Sequence, residues 1–206
     1  MLKNKPLTSR QLQSIQTKSN LFESAVKLMK QHSLEDITIA EICRGAGVSV
    51  GSFYNYFSTK SDILVEMYEQ ADGFFDQKFR GLEPSASIQN DIVDYFKIYA
   101  EYNLNVGIAT IKQLYTCNNK LFIAKGRYMQ NVLQALLEKG QANRQLIDSM
   151  SAEEMTEYLF IAARGVIYNW CLHEGGYDLE RKMEEYMDRL VVVLLRAPYS
   201  PLTNER

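Results

Sequence analysis

Between Thr38 and Lys60 the chain reads TIAEICRGAGVSVGSFYNYFSTK. The side chains that offer chemistry here are hydroxyls, amides and aromatics rather than a nucleophile and its base. Val50, Gly51, Ser52, Tyr54, Asn55 and Tyr56 fall on one surface of a short helical segment, and Phe53 and Phe57, four residues apart, mark its other side. Such a surface suits the DNA major groove: a valine methyl meets a thymine methyl, an amide such as Asn55 pairs with adenine, and Gly51 lets the backbone sit deep. Tyr54 and Tyr56 bring large hydroxyl donors to phosphate distance. Lys60 adds a positive charge for the backbone, and Thr38 at a helix start adds a hydroxyl and free N–H groups. Each residue also has a plainer reading. Tyr54 or Tyr56 is then a surface aromatic, Asn55 a solvated amide, and the segment a tight corner in a helical protein.

Elements must hold these residues in place, and the local signals for them are dense. A first helix is predicted over roughly 9–32, with Ile15, Phe22, Ala25, Val26 and Met29 at three- and four-residue steps. Thr38 followed by Glu41 is a capping box that starts a second helix, whose apolar side is Ile39, Ile42 and Cys43. Gly45, Ala46 and Gly47 form a turn, and Ser49 caps a third helix over about 50–56. Thr59 and Asp62 make another box before a long helix to about Arg80, carrying Ile63, Leu64, Met67, Ala71, Phe74, Phe75 and Phe79. Helix, glycine turn and short second helix are the sequence form of a helix-turn-helix.

LFESAVKLMKQHSLEDITIAEICRGAGVSVGSFYNYFSTKSDIL resembles the DNA-binding domain of TetR-family transcriptional regulators over residues 15–66. The family pattern AGVS-x-G-[ST]-x-Y-x-Y/H-F-x-x-K stands here as AGVSVGSFYNYFSTK. Ser33 replaces a glycine that usually ends the first helix, and Met29 replaces a frequent phenylalanine. The resemblance implies a homodimer on a palindromic or near-palindromic DNA site, with a C-terminal ligand-sensing domain. It places Val50, Gly51 and Tyr54 where family members touch bases, and Thr38, Ser52, Tyr56 and Lys60 where they hold phosphates.

Charge agrees with a polyanion-binding end. The net charge of −2 divides into eight Lys/Arg against four Asp/Glu in residues 1–60, a net of +4, and fifteen against twenty-one in the remainder, a net of −6. Residues 1–8, with Lys3 and Lys5, read as a basic arm. Cys43, Cys117 and Cys171 are odd in number and too scattered for a disulfide framework or a zinc site. The N-terminus lacks an apolar leader and no run of about 18 apolar residues occurs, so a cytoplasmic protein without a membrane span is expected.

The fold class expected is all-α with about nine helices. A helix-turn-helix domain over 1–60 leads into a connecting helix and break over 61–84, marked by Gly81 and Pro84. A helical effector-binding and dimerisation domain over 85–206 follows. Its helices are predicted near 86–103, 105–116 and 119–139, the last ended by Gly140, then 152–173 behind a Ser151–Glu154 box, and a last helix from an Asp178 cap to about Arg196. Aromatics in this body admit two readings, pocket walls or core. Tyr99, Asn103, Tyr115, Phe122, Tyr128 and Trp170 are the pocket candidates, with Asn105, Arg127 and His173 as further polar groups. The last two helices likewise either close the core or pair with their twofold copies. For the twofold contact the candidates are Met155, Leu159, Ala163, Val166, Met183, Met187, Leu190 and Leu194.

No cofactor, metal or catalytic set is expected. His32 and His173 are far apart, and pairs such as Glu153/Glu154 and Glu184/Glu185 read as solvated surface. The function expected is a DNA-binding transcriptional regulator, repressing by default, released from its operator by a small apolar ligand. The alternative is a DNA-bound regulator controlled by a protein partner.

Overall fold

In the computed structural model of the protein, residues 8–79, 85, 87–115 and 121–196 are described. The basic arm with Lys3 and Lys5, the break at Gly81 and Pro84, Cys117 and the tail from Pro198 lie outside them. Among the described residues there are nine α-helices and no β-strand. They are α1 Ser9–Met29, α2 Ile39–Ala46, α3 Val50–Phe53, α4 Asp62–Phe79, α5 Ile88–Val106, α6 Ile108–Leu114, α7 Tyr128–Ala142, α8 Ala152–Leu172 and α9 Leu179–Val191, with 3-10 turns at Leu121–Ile123 and Val192–Leu194.

Helices α1, α3 and α9 end earlier than expected, at Met29, Phe53 and Val191, and two further differences have a local reason. The helix expected from 119 begins at Tyr128, because Gly126 is left-handed at φ 79° and Arg127 is extended. Gly140 does not end α7 but lies within it. A Cβ there would come 2.8 Å from Leu146 Cδ1 and 2.9 Å from Ile88 Cγ1, so the glycine serves close packing rather than a break.

The chain forms two compact units, whose boundaries fall at Ala71/Asp72, Asn105/Val106 and Ile123/Ala124. The first contains α1, α2, α3, the start of α4, and α6. Its core is Leu21, Phe22, Ala25 and Met29 of α1, Ile42 and Cys43 of α2, Phe53 and Phe57, Ile63 and Met67 of α4, and Ile111 and Leu114 of α6. The inclusion of α6 departs from the expected domain limits, which assigned everything after 85 to the C-terminal body. Lys18 of α1 pairs with Glu66 and, at 3.6 Å, with Glu69 of α4, and stands 5.9 Å over the Phe57 ring.

The second unit is organised round aromatic rings. Phe75 of α4 lies 5.4 Å from Tyr95 of α5, Tyr95 lies 5.1 Å from Phe96, and Phe96 lies 5.6 Å from Phe160 of α8. The buried Tyr95 hydroxyl donates to Met129 O at 2.6 Å. Asp72 accepts from Arg127 Nη2 and from Met129 N–H, both at 3.3 Å, so the interior of α4 and the start of α7 are tied by polar contacts beside the rings. Burial pushes the Tyr95 and Tyr102 phenols well above their ordinary range.

The residues proposed for a twofold contact require correction. Met155, Leu159, Ala163, Val166, Met183, Met187 and Leu194 are buried inside the single chain, and Leu190 is half-buried. A side chain with no accessible surface in the protomer has none to offer a partner. Helix α8 is apolar on two sides, and its exposed side carries Tyr158, Ile161, Gly165, Tyr168 and Leu172. These follow three- and four-residue steps in alternation, the spacing of a helix–helix seam. Tyr186 and Val193, at the α9 end, are exposed as well.

Candidate nucleic-acid interface

The α2–turn–α3 corner is built almost entirely from short-range contacts. Thr38 Oγ1 accepts from Glu41 N at 3.2 Å, and the Glu41 carboxylate accepts from Thr38 N at 2.8 Å and from the Thr38 hydroxyl at 2.7 Å. That reciprocal box starts α2 and contributes about 1 kcal/mol. It also holds the Glu41 carboxyl below its usual range, chiefly through the Thr38 hydroxyl and then the Thr38 N–H. Gly47 ends α2 at φ 69°, a left-handed geometry in which glycine carries no Cβ penalty. Val48 N–H then reaches back to Cys43 O at 3.0 Å, which closes the helix end. Ser49 caps α3 by accepting from Ser52 N at 3.3 Å, and the two serine hydroxyls lie 2.9 Å apart.

One regular turn, Val50–Phe53, suffices for α3 because its inner side is anchored by rings. Phe53 and Phe57 are buried with centroids 5.4 Å apart, and the backbone continues in a tight turn with Tyr56 and Phe57 N–H both bonded to Phe53 O at 2.9 Å. The outward side presents Val50, Gly51, Tyr54 and Asn55, all exposed, with Ser52 and Tyr56 half-buried beside them. Tyr54 is 56% exposed and rests edge-on against Phe53 at 5.6 Å. Of the residues named for base and phosphate contact, Val50, Gly51, Ser52, Tyr54, Asn55 and Tyr56 therefore share this outward side, with methyl, amide and hydroxyl groups.

Two of the named phosphate contacts already have duties within the protein. Thr38 gives its hydroxyl proton to Glu41. Lys60 Nζ donates to Glu35 O at 2.8 Å and to Ile37 O at 2.7 Å. Lys60 thereby fastens the turn before α4 to the segment between α1 and α2. Gln113 of α6 holds the same segment from its other end, a contact that sequence reading missed. Its Nε2 donates to Met29 O and His32 O, each at 3.0 Å, and its Oε1 accepts Leu34 N–H at 2.6 Å. Five backbone groups between Met29 and Ile37 are thus held by two side chains, immediately before Thr38.

The pocket candidates are divided between the two units. Tyr99 and Asn103 are buried together on α5, where Asn103 Nδ2 donates to Tyr99 O at 2.7 Å and Tyr99 packs 5.6 Å from Phe160. Tyr115 and Phe122 form a pair at 4.7 Å in the first unit. Tyr128 is partly exposed, with its hydroxyl on Asp76 at 2.8 Å, and Trp170 Nε1 donates to Tyr177 O at 3.1 Å beside the α8–α9 turn. Asn105 and His173 are exposed. Among the described residues no helix is long and apolar enough to cross a membrane.

An exposed, ring-backed turn behind a glycine corner defines a helix-turn-helix module at the head of an all-helical chain. The model of the bacterial regulatory proteins of the tetR family matches residues 21–67, the segment that holds α2, the glycine turn and α3. It is 22% identical over 181 residues to a fatty acid metabolism regulator protein of Bacillus subtilis, covering 83% of this chain and 92% of the relative. It is 21% identical over 213 residues to the HTH-type transcriptional regulator AcrR of Shigella flexneri, covering 92% and 95%. In fold it is similar to the transcriptional regulator FadR of Bacillus subtilis in complex with stearoyl-CoA. That match has a TM-score of 0.71 and 18% identity, over 84% of this chain and 97% of the other.

Proposed function

We propose that the protein is a sequence-specific transcriptional repressor that binds a palindromic operator as a homodimer and leaves it when a small, largely apolar ligand occupies its C-terminal body. The observation that carries the DNA reading is the surface of α3. Val50, Gly51, Tyr54 and Asn55 are exposed together on a turn whose rigidity comes from buried Phe53 and Phe57. The match of residues 21–67 to the tetR family model supports the same reading.

The exposed seam of α8 supports a homodimer. Tyr158, Ile161, Gly165, Tyr168 and Leu172 present an apolar stripe that a second copy would cover, and a twofold pair lets two α3 turns reach major grooves about 34–36 Å apart. The ligand reading is supported by the aromatic second unit and by the stearoyl-CoA complex of the similar FadR, which makes a long acyl chain the first chemistry to try. A coupling of about 1–3 kcal/mol between ligand and operator would change affinity about 5–150-fold.

The test is selection of duplex fragments by the purified protein, followed by titration of the enriched operator with and without long-chain acyl-CoA. An inverted repeat whose binding weakens with the acyl thioester is the expected result. An inverted repeat indifferent to it would remove that ligand, and no enriched sequence would remove the repressor reading.

A further inference from the structure

Beside α3 runs a trough of about 590 Å³. One wall is the first half of α1, which contributes Arg10, Gln13, Ser14 and Thr17. The other is the α3 turn, which contributes Ser52 and Tyr56. The α1 residues sit at steps of three, one and three, so they form a single stripe along the helix. Thr8 begins that helix with a complete capping box on Gln11, whose side chain accepts Thr8 N–H at 2.8 Å. Arg10 therefore lies within the first turn of α1. It is exposed and makes no ion pair among the described residues.

The lining contains guanidinium, amide and hydroxyl groups and no carboxylate. A second trough of about the same volume, between α5 and α9, is lined by Asp94, Glu184, Glu185 and Asp188 with Arg181. A polyanion would be repelled from that one and accepted by the first. The first is also continuous with the proposed base-reading surface through Ser52 and Tyr56.

We infer that the α1–α3 trough seats the sugar–phosphate backbone of the operator, next to the bases read by α3. Arg10 supplies the charge, and Gln13, Ser14, Ser52 and Tyr56 supply hydrogen-bond donors. The inference rests on the repressor reading and extends the contact surface to α1, outside the helix-turn-helix itself. Backbone contacts fix register and carry no sequence information, so their loss should weaken every duplex alike.

The experiment uses the full chain, with fluorescence anisotropy on the selected operator and on an unrelated duplex across a salt series. Arg10→Ala should lower both affinities by the same factor, about threefold to tenfold, and reduce the salt slope by about 0.9. Ser14→Glu, which places a carboxylate in the trough, should lower both further. Circular dichroism should show both variants folded, since both positions are exposed. Wild-type affinity and slope in both variants would overturn the trough as a phosphate site, and so would a loss confined to the operator. Failure of the wild-type protein to prefer any duplex would instead overturn the repressor reading, so the two failures are distinct.

Discussion

Two surfaces of the molecule expose large apolar side chains, and they differ in company. On α3, Val50 and Tyr54 stand among Gly51, Ser52 and Asn55, each apolar group flanked by a hydrogen-bonding one. On α8, Tyr158, Ile161, Tyr168 and Leu172 follow each other along one stripe with Gly165 at its middle. The first pattern suits a hydrated partner that must be read atom by atom. The second suits a dry partner of matching period. Exposure alone does not separate the two surfaces, and spacing together with neighbouring chemistry does.

The comparison is most easily broken from beneath the first surface. Phe53→Ala removes a fully buried ring, and urea unfolding should show a loss of about 3–5 kcal/mol, with operator binding lost in the same variant. The second surface is tested by Tyr168→Glu, which leaves the protomer folded because the residue is 50% exposed. A carboxylate buried without a partner in the dimer should cost about 3 kcal/mol, or about two orders of magnitude in dimer affinity. Sedimentation should then show monomers. An unchanged dimer would move the contact away from the α8 stripe.

Tyr54→Ala should relax base preference by about 1–3 kcal/mol while leaving binding to unrelated duplex intact, read by competition between the operator and its point variants. Lys60→Met sharpens the account of how that surface is positioned. Loss of its bonds to Glu35 O and Ile37 O should lower stability by about 1–2 kcal/mol and weaken operator binding with no change in salt slope. A slope lower by about one at unchanged stability would show instead that the ammonium holds a phosphate. The smallest effect is expected for Glu41→Gln. The carboxyl is held below its usual range in the folded chain, so its stabilisation is complete above that range and is lost as acid protonates it. Glutamine still accepts from Thr38 N–H, so thermal melts from pH 7 to 3 should show a shallower decline for the variant.

Much of the corner was legible in the chain because its contacts are local. Thr38 and Glu41, Ser49 and Ser52, and Phe53 and Phe57 are three or four residues apart, within the reach of pattern reasoning. Gln113 was not legible, since its partners lie 79–84 residues earlier and nothing in its neighbourhood marks it. The same separation hid the grouping of α6 with the N-terminal unit. The residues expected at a twofold contact are buried in the protomer because α8 is apolar on two sides, and periodicity does not say which side the protomer itself consumes. The stripe Arg10, Gln13, Ser14 and Thr17 was visible as polar residues at helical spacing, but a polar stripe on a first helix reads equally as plain solvated surface.

Leu34 lies between α1 and α2, outside any helix, where a backbone amide would ordinarily trade its proton with water almost freely. Its N–H is instead captured by Gln113 Oε1 at 2.6 Å. Deuterium enters that position only when the side chain on α6 lets go, so the exchange rate at one loop amide clocks how often α6 releases the approach to the DNA-facing corner.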